Sequence, residues 1–477
     1  MKDIAKRLAR NTIALSITQI VRVGFNTLLT LLVARKLGVE GLGKYAVLTA
    51  YLQIFQILTI MGVPRLVIRE MARHSGEKNV WFHRIVVNQL LGAVMSAFTL
   101  TIVVKVLKHP ADTTQALEII ALSLFPFALS SAAESTFQAM ERMDFIALAQ
   151  IGAKGIQVLG SILALMAGKG IIALSWMIVI SQSFAALIEI SIVKWLGLWR
   201  DFKVNWGAAI SLFSHSFDFF ILSIFVIIFS KLDVLILSQM AGEKAVGLYN
   251  AAYLIIQVIN FLSASYSNAA YPVLSRLFNE ARSYFETMLR KSLLFGIVIT
   301  TLIALLLEVA AEPIINLLYK DKGYIASALL LRIEAPFIII FIWNAILASG
   351  LMVSNLQRRS VIVSGIKLGV GLIYYVFLTT WLGVVGTAIA TVLAGFTGTV
   401  LNLYFINKEV CSLNLTALAV KPLAVGLILM GVFWLSRKII LPWLILEILL
   451  CYITLLIVLR IFTKEDFRLI WQTIWPL

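Results

Sequence analysis

Fourteen apolar segments, each long enough to cross a lipid bilayer, run through this 477-residue chain and leave little room for another architecture. Hydrophobic residues make up 61% of the sequence and charged residues only 13%, whereas a soluble domain carries about 25% charged residues. So few charges cannot cover a water-facing surface. The sequence therefore predicts an all-α polytopic membrane protein. The predicted helices are residues 12–34, 41–63, 85–107, 116–138, 143–167, 170–193, 210–238, 246–271, 291–312, 326–352, 359–380, 383–406, 418–436 and 441–462.

A short pattern occurs twice, each time where an apolar segment ends. Residues 38–45 and 242–249 both read Gly, four residues, Gly, one residue, Tyr, at an offset of 204. A second similarity, at an offset of 213, pairs Lys154 with Lys367. Internal repeats of this kind are how many transporters are built. The chain is therefore predicted to be a duplicated unit of about two hundred residues.

The duplication predicts the domain organisation. We expect a first six-helix lobe over residues 1–207, a second over 208–410, and two additional helices in 411–477. Because each lobe holds an even number of spans, both enter the membrane in the same sense, and a pseudo-two-fold axis relating them runs along the membrane normal. We interpret both Gly/Gly/Tyr patterns as structural turns at equivalent corners of the two lobes.

The charge distribution predicts orientation and location. More than half of the 40 lysines and arginines fall in loops on the side of the N-terminus, which places both termini in the cytoplasm and the chain in the cell membrane. The net charge of +16 is explained by cationic loops beside anionic membrane lipids. A nucleic-acid partner is not expected.

Signatures of enzymes are missing from the sequence. It has no Gly-rich phosphate loop ending in Lys-Ser/Thr, no zinc-ligand spacing among its four histidines and no nucleophile elbow. We therefore expect no catalytic residue, no cofactor and no metal. Every predicted loop is short, the longest being residues 64–84. A membrane glycosyltransferase or polymerase, the least favoured alternative, would need a sizeable external loop.

Polar residues spaced by three or four follow one face of helices one, two, five and eight. Such stripes cannot face lipid. A single stripe is explained by hydrogen bonds between helices, but four of them, three in the first lobe and one in the second, favour a hydrated cavity between the lobes. The residues predicted to line it are Gln19, Arg22, Asn26, Gln53, Lys154, Gln157, Asn250, Gln257 and Lys367.

Five basic residues lie within predicted spans: Arg22, Lys154, Lys231, Arg332 and Lys367. Inserting a cation at the bilayer centre costs at least about 2.5–3.5 kcal/mol of free energy, so each of these residues requires a structural or functional explanation. For Lys231 and Arg332 the favoured reading is snorkelling to the outer interface, and the alternative is attraction of an anionic substrate. For Arg22 and Lys154 two readings stay open: attraction of an anionic substrate, or a structural ion pair. The acids that could form such a pair are Glu134, Glu189 and Asp218.

Two further acids are candidates for ion coupling. Asp233 lies two residues from Lys231, nearly on the opposite helix face, so the two are not a simple pair. Asp233 could relay a proton or bind a sodium ion, although a fold-stabilising hydrogen bond is the favoured reading. Glu334 in helix ten has the same ambiguity.

These motifs resemble a known family. Residues 34–45 are similar to the first external-loop motif of the polysaccharide-transport branch of the multidrug/oligosaccharidyl-lipid/polysaccharide exporter superfamily, the O-antigen-type flippases. Residues 231–276 resemble that branch's signature over helices seven to nine. The resemblance implies a flippase that moves undecaprenyl- or dolichyl-pyrophosphate-linked oligosaccharides to the outer leaflet through a cationic cavity between two alternately opening lobes. Glycan polymerases or glycosyltransferases would be its partner proteins.

The sequence also departs from two relatives in the superfamily. Lipid II flippases use a cluster of cavity arginines, of which only Arg22 has a comparable helix-one position here. Drug exporters keep a cavity acid for cation coupling, and helices one and two contain no acid. A cation-coupled drug exporter is therefore the alternative to the flippase. Cavity charge should discriminate between them, because a cationic drug would be repelled by Arg22 and Lys154.

Overall fold

The computed structural model describes residues 2–73, 77–200, 204–320, 322–435 and 441–458. These residues form helices joined by short turns, with no strand among them. The helices are α1 (Lys2–Ile60), α2 (Val63–Arg73), α3 (Lys78–Leu107), α4 (Ala111–Ala139), α5 (Met143–Met166), α6 (Ile171–Trp195), α7 (Trp206–Glu280), α8 (Arg282–Tyr319), α9 (Ala326–Val353), α10 (Gln357–Glu409), α11 (Leu415–Leu435) and α12 (Leu441–Val458).

Three of these helices are too long for a single span and are broken at a glycine. α1, α7 and α10 contain 59, 75 and 53 residues, whereas about 20 residues cross a bilayer. Gly38, Gly242 and Gly383 have positive φ angles of 69°, 80° and 57° inside them. Gly38 and Gly242 each lie between two spans that the sequence predicts, and Gly383 is the first residue of the predicted span 383–406. Divided there, and without the short α2, the described helices give the fourteen predicted membrane segments.

Length and composition agree with a membrane location. Nine of the described helices are long and apolar enough to span a membrane, including the three broken ones. Two shorter apolar helices, Leu418–Gly431 and Trp443–Val458, follow near the C-terminus. The predicted all-α fold is thus confirmed, and the chain is a multi-pass membrane protein. The end of the last predicted span, beyond residue 458, lies outside the described residues.

The two Gly/Gly/Tyr patterns form corners of the same shape. We call residues 38–45 the first corner and residues 242–249 the second corner. Gly38 has φ 69° and ψ −168°, and Gly242 has φ 80° and ψ 175°. Residues with a side chain rarely adopt this conformation, which glycine reaches without steric cost. Gly38 and Gly242, the first residues of the two patterns, therefore break their helices in the same way.

The corners also contact each other. A Cβ atom added at Gly43 would overlap the carbonyl oxygen of Glu243, and one added at Gly247 would overlap that of Val39. Both pairs are related by the offset of 204, so the contact is reciprocal. Only glycine allows two backbones to approach so closely. Gly43 and Gly247 therefore make the two corners contact each other through their backbones in a reciprocal way.

Part of the predicted long loop is helical instead. Within residues 64–84, the structure shows the 11-residue helix α2 and an earlier start of α3 at Lys78. The sequence reading missed α2 because its arginines interrupt the apolar run. Its apolar face is buried in a core shared with α3 and α4, in which Val63, Leu66 and Met71 pack near Phe82 and Phe137.

The chain divides into two compact units, residues 1–250 and 251–477. In the first, α3, α4 and α6 surround the core next to α2. In the second, α8 packs against α9 and against α11 and α12. The predicted lobe boundaries at 207 and 410 follow the sequence repeat and stay a prediction. The first unit extends beyond residue 207 because the second corner packs on the first.

Candidate functional site

The first unit contains a cavity of about 300 Å³, which we call the first cavity. Helices α1, α4, α5 and α6 form its walls. On α4 and α5 the lining residues recur every three or four positions, which places them on one face of each helix. The lining residues are Thr18, Gln19, Val21, Arg22, Gln56, Phe127, Ser130, Glu134, Gln138, Ile146, Gln150, Ile151, Ala153, Lys154, Gln157, Ser181 and Gln182.

Four of the predicted site residues lie together in this cavity: Gln19, Arg22, Lys154 and Gln157. Sequence reasoning therefore found residues that share a site from stripes on two separate helices. Asn26 and Gln53, which the same stripes include, are exposed and do not line it. Gln56, three residues after Gln53, contributes to the wall instead. All lining residues belong to the first unit, whereas the prediction placed the cavity between the lobes.

The two cations have different surroundings. The Lys154 Nζ atom donates a hydrogen bond to Gln157 Oε1, one turn along α5, at 2.7 Å. Arg22 is exposed into the cavity and close enough to Lys154 for electrostatic repulsion. Two like charges held in one cavity repel each other, and an anion between them would relieve that repulsion.

Two of the acids that the sequence offers as ion-pair partners of Arg22 and Lys154 also lie in this region: Glu134 and Glu189. Glu134 lines the cavity, accepts a 2.7 Å hydrogen bond from Gln150 Nε2 and attracts Arg22 electrostatically. Ser130, one turn away on α4, donates a hydrogen bond to Glu189 Oε2. The Glu189 side chain is fully buried behind the wall, and Glu189 Oε1 finds no hydrogen-bond partner among the described residues.

Glu134 changes the expected charge of the site. The first cavity holds two cations and one acid, so it is less positive than the sequence predicts. The α4 stripe of Ser130, Glu134 and Gln138 has the same spacing as the stripes on α1 and α5, and that signal could have identified it. The third proposed pairing partner, the side chain of Asp218, lies outside the described residues.

The two ion-coupling candidates lie elsewhere. Asp233 is buried beside the second corner, where its Oδ2 atom accepts a 2.8 Å hydrogen bond from the Tyr249 hydroxyl and its Oδ1 atom accepts one from the Val234 N–H. This geometry fits the fold-stabilising reading. Glu334 is fully buried in α9. In the part of the chain that the structure describes, no three His, Cys, Asp or Glu side chains are grouped as metal ligands would be.

Arg332 forms ion pairs that the sequence did not predict. Its side chain is paired with Glu312 at 3.1 Å and Glu308 at 3.9 Å, both on α8. These partners offset its charge, so snorkelling alone does not explain this residue.

The predicted residues of the second half are dispersed. Asn250 is half-buried at the end of the first unit, and Gln257 is exposed on α7. Lys367 lines a smaller cavity of about 90 Å³ in the second unit, which we call the second cavity. Its wall is mainly aromatic and aliphatic, with Asn344 as a further polar group.

Comparison by sequence identifies the family. Residues 8–278, more than half of the chain, match the profile described as polysaccharide biosynthesis protein. Residues 219–377 match the MatE profile. The uncharacterized membrane protein MJ1068 of Methanocaldococcus jannaschii is 24% identical over 187 residues. That match covers 38% of this chain and 36% of the relative, so the chain is aligned with about a third of that protein's length.

Comparison by structure agrees. The fold is similar to that of the lipid II flippase MurJ in an inward closed conformation, with a TM-score of 0.73 and 17% identity over 95% of this chain and 99% of MurJ. It is also similar to an inward-facing multidrug resistance MATE family transporter, with a TM-score of 0.64 and 14% identity over 86% and 98% of the two chains. The chain therefore belongs to the polysaccharide biosynthesis protein family, within the multidrug/oligosaccharidyl-lipid/polysaccharide exporter superfamily.

Proposed function

We propose that this protein is a flippase that moves a polyprenyl-phosphate- or pyrophosphate-linked oligosaccharide from the cytoplasmic to the outer leaflet of the cell membrane, without covalent chemistry. The observation that carries the proposal is the first cavity, in which Arg22 and Lys154 share one polar space. An anionic phosphate group is the ligand that two neighbouring cations favour.

The remaining polar groups of the cavity suit a sugar. Sugar hydroxyls both donate and accept hydrogen bonds, and stripping them of partners in hydrocarbon costs several kcal/mol each. A glutamine side chain offers one acceptor oxygen and two donor hydrogens, so it can replace water at a hydroxyl. The cavity wall contains six of them: Gln19, Gln56, Gln138, Gln150, Gln157 and Gln182.

Transport in this direction needs no ATP site. Moving about two negative charges outward across an inside-negative potential of 100 mV is favourable by roughly 4–5 kcal/mol. We assign alternating access to the two predicted lobes, with both termini in the cytoplasm. Asn26, Gln53, Asn250, Gln257 and Lys367 remain predicted substrate contacts.

The other predicted roles complete the proposal. Asp233 and Glu334 remain the predicted ion-coupling residues. Membrane lipids surround the protein, and a glycan polymerase or glycosyltransferase would use or supply its substrate.

Glu134 favours a second candidate, the cation-coupled drug exporter. The absence of acids from helices one and two argues against drug export, but Glu134 brings an acid into the same cavity from α4. A cationic drug would bind this carboxylate, and Arg22 and Lys154 would oppose it. The two candidates therefore require opposite effects from the same charges.

The test is a flipping assay with purified protein in liposomes that contain a fluorescent polyprenyl-pyrophosphate oligosaccharide. A hydrogen bond to a charged group contributes about 1.5–3 kcal/mol, so Arg22→Gln should slow flipping at least about ten-fold, and Arg22→Lys should restore part of it. Lys105→Gln removes an exposed charge away from the cavity and is the matched control. Unchanged flipping in Arg22→Gln would overturn the proposal. Uptake of a cationic dye that Glu134→Gln abolishes would favour the drug exporter.

A further inference from the structure

The basic face of α2 forms a row of arginines at one surface of the first unit. Arg65, Arg69 and Arg73 are spaced by four residues and are all exposed. At 1.5 Å per residue the row is about 12 Å long. Arg69 is partly neutralised, because its Nε atom is 2.9 Å from Glu70 Oε1. Arg65 and Arg73 extend the positive surface on either side of it.

The surroundings of α2 place this row at the membrane surface. α2 joins the end of α1 to the start of α3, and both neighbours are membrane spans. An interfacial helix usually buries its apolar face in lipid. In α2 this face is instead buried against the protein, with Val63 and Met71 fully covered. The helix is therefore held by the bundle, and its arginines are exposed to headgroups.

The first turns of α3 add donors that need an acceptor. Lys78, Trp81 and Arg84 are spaced by three residues, and the Arg84 guanidinium lies over the Trp81 ring at 5.1 Å. The Trp81 Nε1 and Arg84 Nε atoms are buried, and no acceptor among the described residues hydrogen-bonds to either. Buried donors are almost always paired in proteins. Both side chains are partly exposed, so a rotation of either would bring its donor to a ligand oxygen at the surface.

We propose that the basic face of α2 and the first turns of α3 bind the phosphate headgroup of an anionic phospholipid. The headgroup oxygens would accept hydrogen bonds from Arg84 Nε and Trp81 Nε1, and the α2 arginines would add charge attraction. Tryptophan is enriched at this depth of a membrane, which favours a lipid over a soluble anion. None of these residues lines the first cavity, so the site is separate from the proposed substrate path.

The test counts bound lipids by native mass spectrometry of the full-length protein, titrated with phosphatidylglycerol or phosphatidylcholine. Each cation near an anionic surface contributes about five-fold in affinity. Arg65→Gln/Arg69→Gln/Arg73→Gln should therefore weaken phosphatidylglycerol binding by up to roughly 100-fold. The matched control, Lys105→Gln/Lys108→Gln/Lys169→Gln, removes three exposed charges from the opposite ends of the helices and should change binding less than about two-fold.

Single substitutions keep the proposal testable if the triple variant fails to fold. Trp81→Phe keeps the ring and removes the N–H donor, so it should weaken phosphatidylglycerol binding several-fold, whereas binding unchanged in Trp81→Phe and in Arg84→Gln would overturn the proposal. Equal losses in the α2 and control triple variants, or equal binding of phosphatidylcholine, would also overturn it. Inorganic phosphate is added as a competitor. Displacement of the lipid at equal concentration would show a site for free phosphate instead.

Discussion

The corners and the cavities are two sets of regions that the predicted internal duplication pairs, and the members of the two pairs resemble each other to different extents. Gly38 and Gly242 keep nearly the same backbone angles, and the glycine contacts between the corners are reciprocal. Lys154 and Lys367 are also paired by the predicted repeat, yet one lines a polar cavity of about 300 Å³ and the other a mostly apolar cavity of about 90 Å³. Backbone geometry is alike where the corners touch, while the side chains around the two lysines differ.

The largest effect is expected at the corners. Gly43→Ala and Gly247→Ala would each place a methyl group into a backbone carbonyl, and overpacking of this kind costs about 1–3 kcal/mol. Because the contact is reciprocal, the two losses should be similar. Thermal unfolding of the purified variants measures this. Gly155→Ala is the control, since its added methyl group meets nothing within 4 Å. Clearly unequal losses of stability in the two variants would contradict the reciprocity of the corner contact.

The equivalent lysines should affect transport unequally. Lys154→Gln should lower export about ten-fold, as expected for a lost charge-assisted hydrogen bond. Lys367→Gln should lower it only about two- to three-fold, because the second cavity has less room and fewer polar groups for a ligand. Initial flipping rates in liposomes, corrected for folded protein, give the comparison. Equal effects would show that the two cavities act alike.

Glu134 should oppose the substrate that Arg22 attracts. Glu134→Gln keeps a polar group at this position and removes the negative charge, so apparent affinity for a pyrophosphate-linked substrate should rise about three-fold. Gln138→Glu is a useful partner variant, because it adds an acid one turn further along α4 and should weaken affinity. The half-saturating substrate concentration in the flipping assay measures both. A loss of affinity in Glu134→Gln would mean that this acid supports binding.

The smallest effect concerns pH and the region near the corners. His109 lies between α3 and α4, where its Nε2 atom is 3.0 Å from the Tyr51 hydroxyl and 3.2 Å from Gln239 Nε2. Burial lowers the pKa of His109 below its ordinary value of 6.5. In the unfolded chain His109 binds a proton as pH falls below about 6.5, whereas in the folded chain it stays neutral to a lower pH. The stability that neutral His109 contributes is therefore present at neutral pH and lost in acid. The melting temperature should fall roughly 1–3 °C further in wild type than in His109→Gln between pH 7.5 and 5.5.

The sequence could predict much of the fold because membrane spans and breaks leave local signals. Apolar length gave fourteen segments, and glycines mark the three broken helices. α2 was missed because an amphipathic helix held against protein has too many charges to read as a span and lies in what looks like a loop. Its period of four in Arg65, Arg69 and Arg73 was the available signal.

The candidate site was predicted less completely, for a physical reason. Helical spacing tells which residues share a face, but not which neighbouring helix that face meets. Arg22 and Lys154 were therefore found on two polar faces, while Asn26 and Gln53 on the same stripes lie away from the cavity. Glu134 was considered only as an ion-pair partner. Its hydrogen bond to Gln150 depends on the packing of α4 on α5, which one sequence does not reveal.

The reciprocal glycine contact has a consequence for how the two halves can drift apart in sequence. Each glycine meets a main-chain carbonyl, and every residue type carries the same carbonyl. The two carbonyl groups belong to Val39 and Glu243. An aliphatic residue and an acidic residue therefore occupy equivalent positions of the two corners. A contact between main-chain atoms does not depend on which side chain these two positions carry. The two corners can thus differ in most of their side chains while four glycines keep their shared geometry.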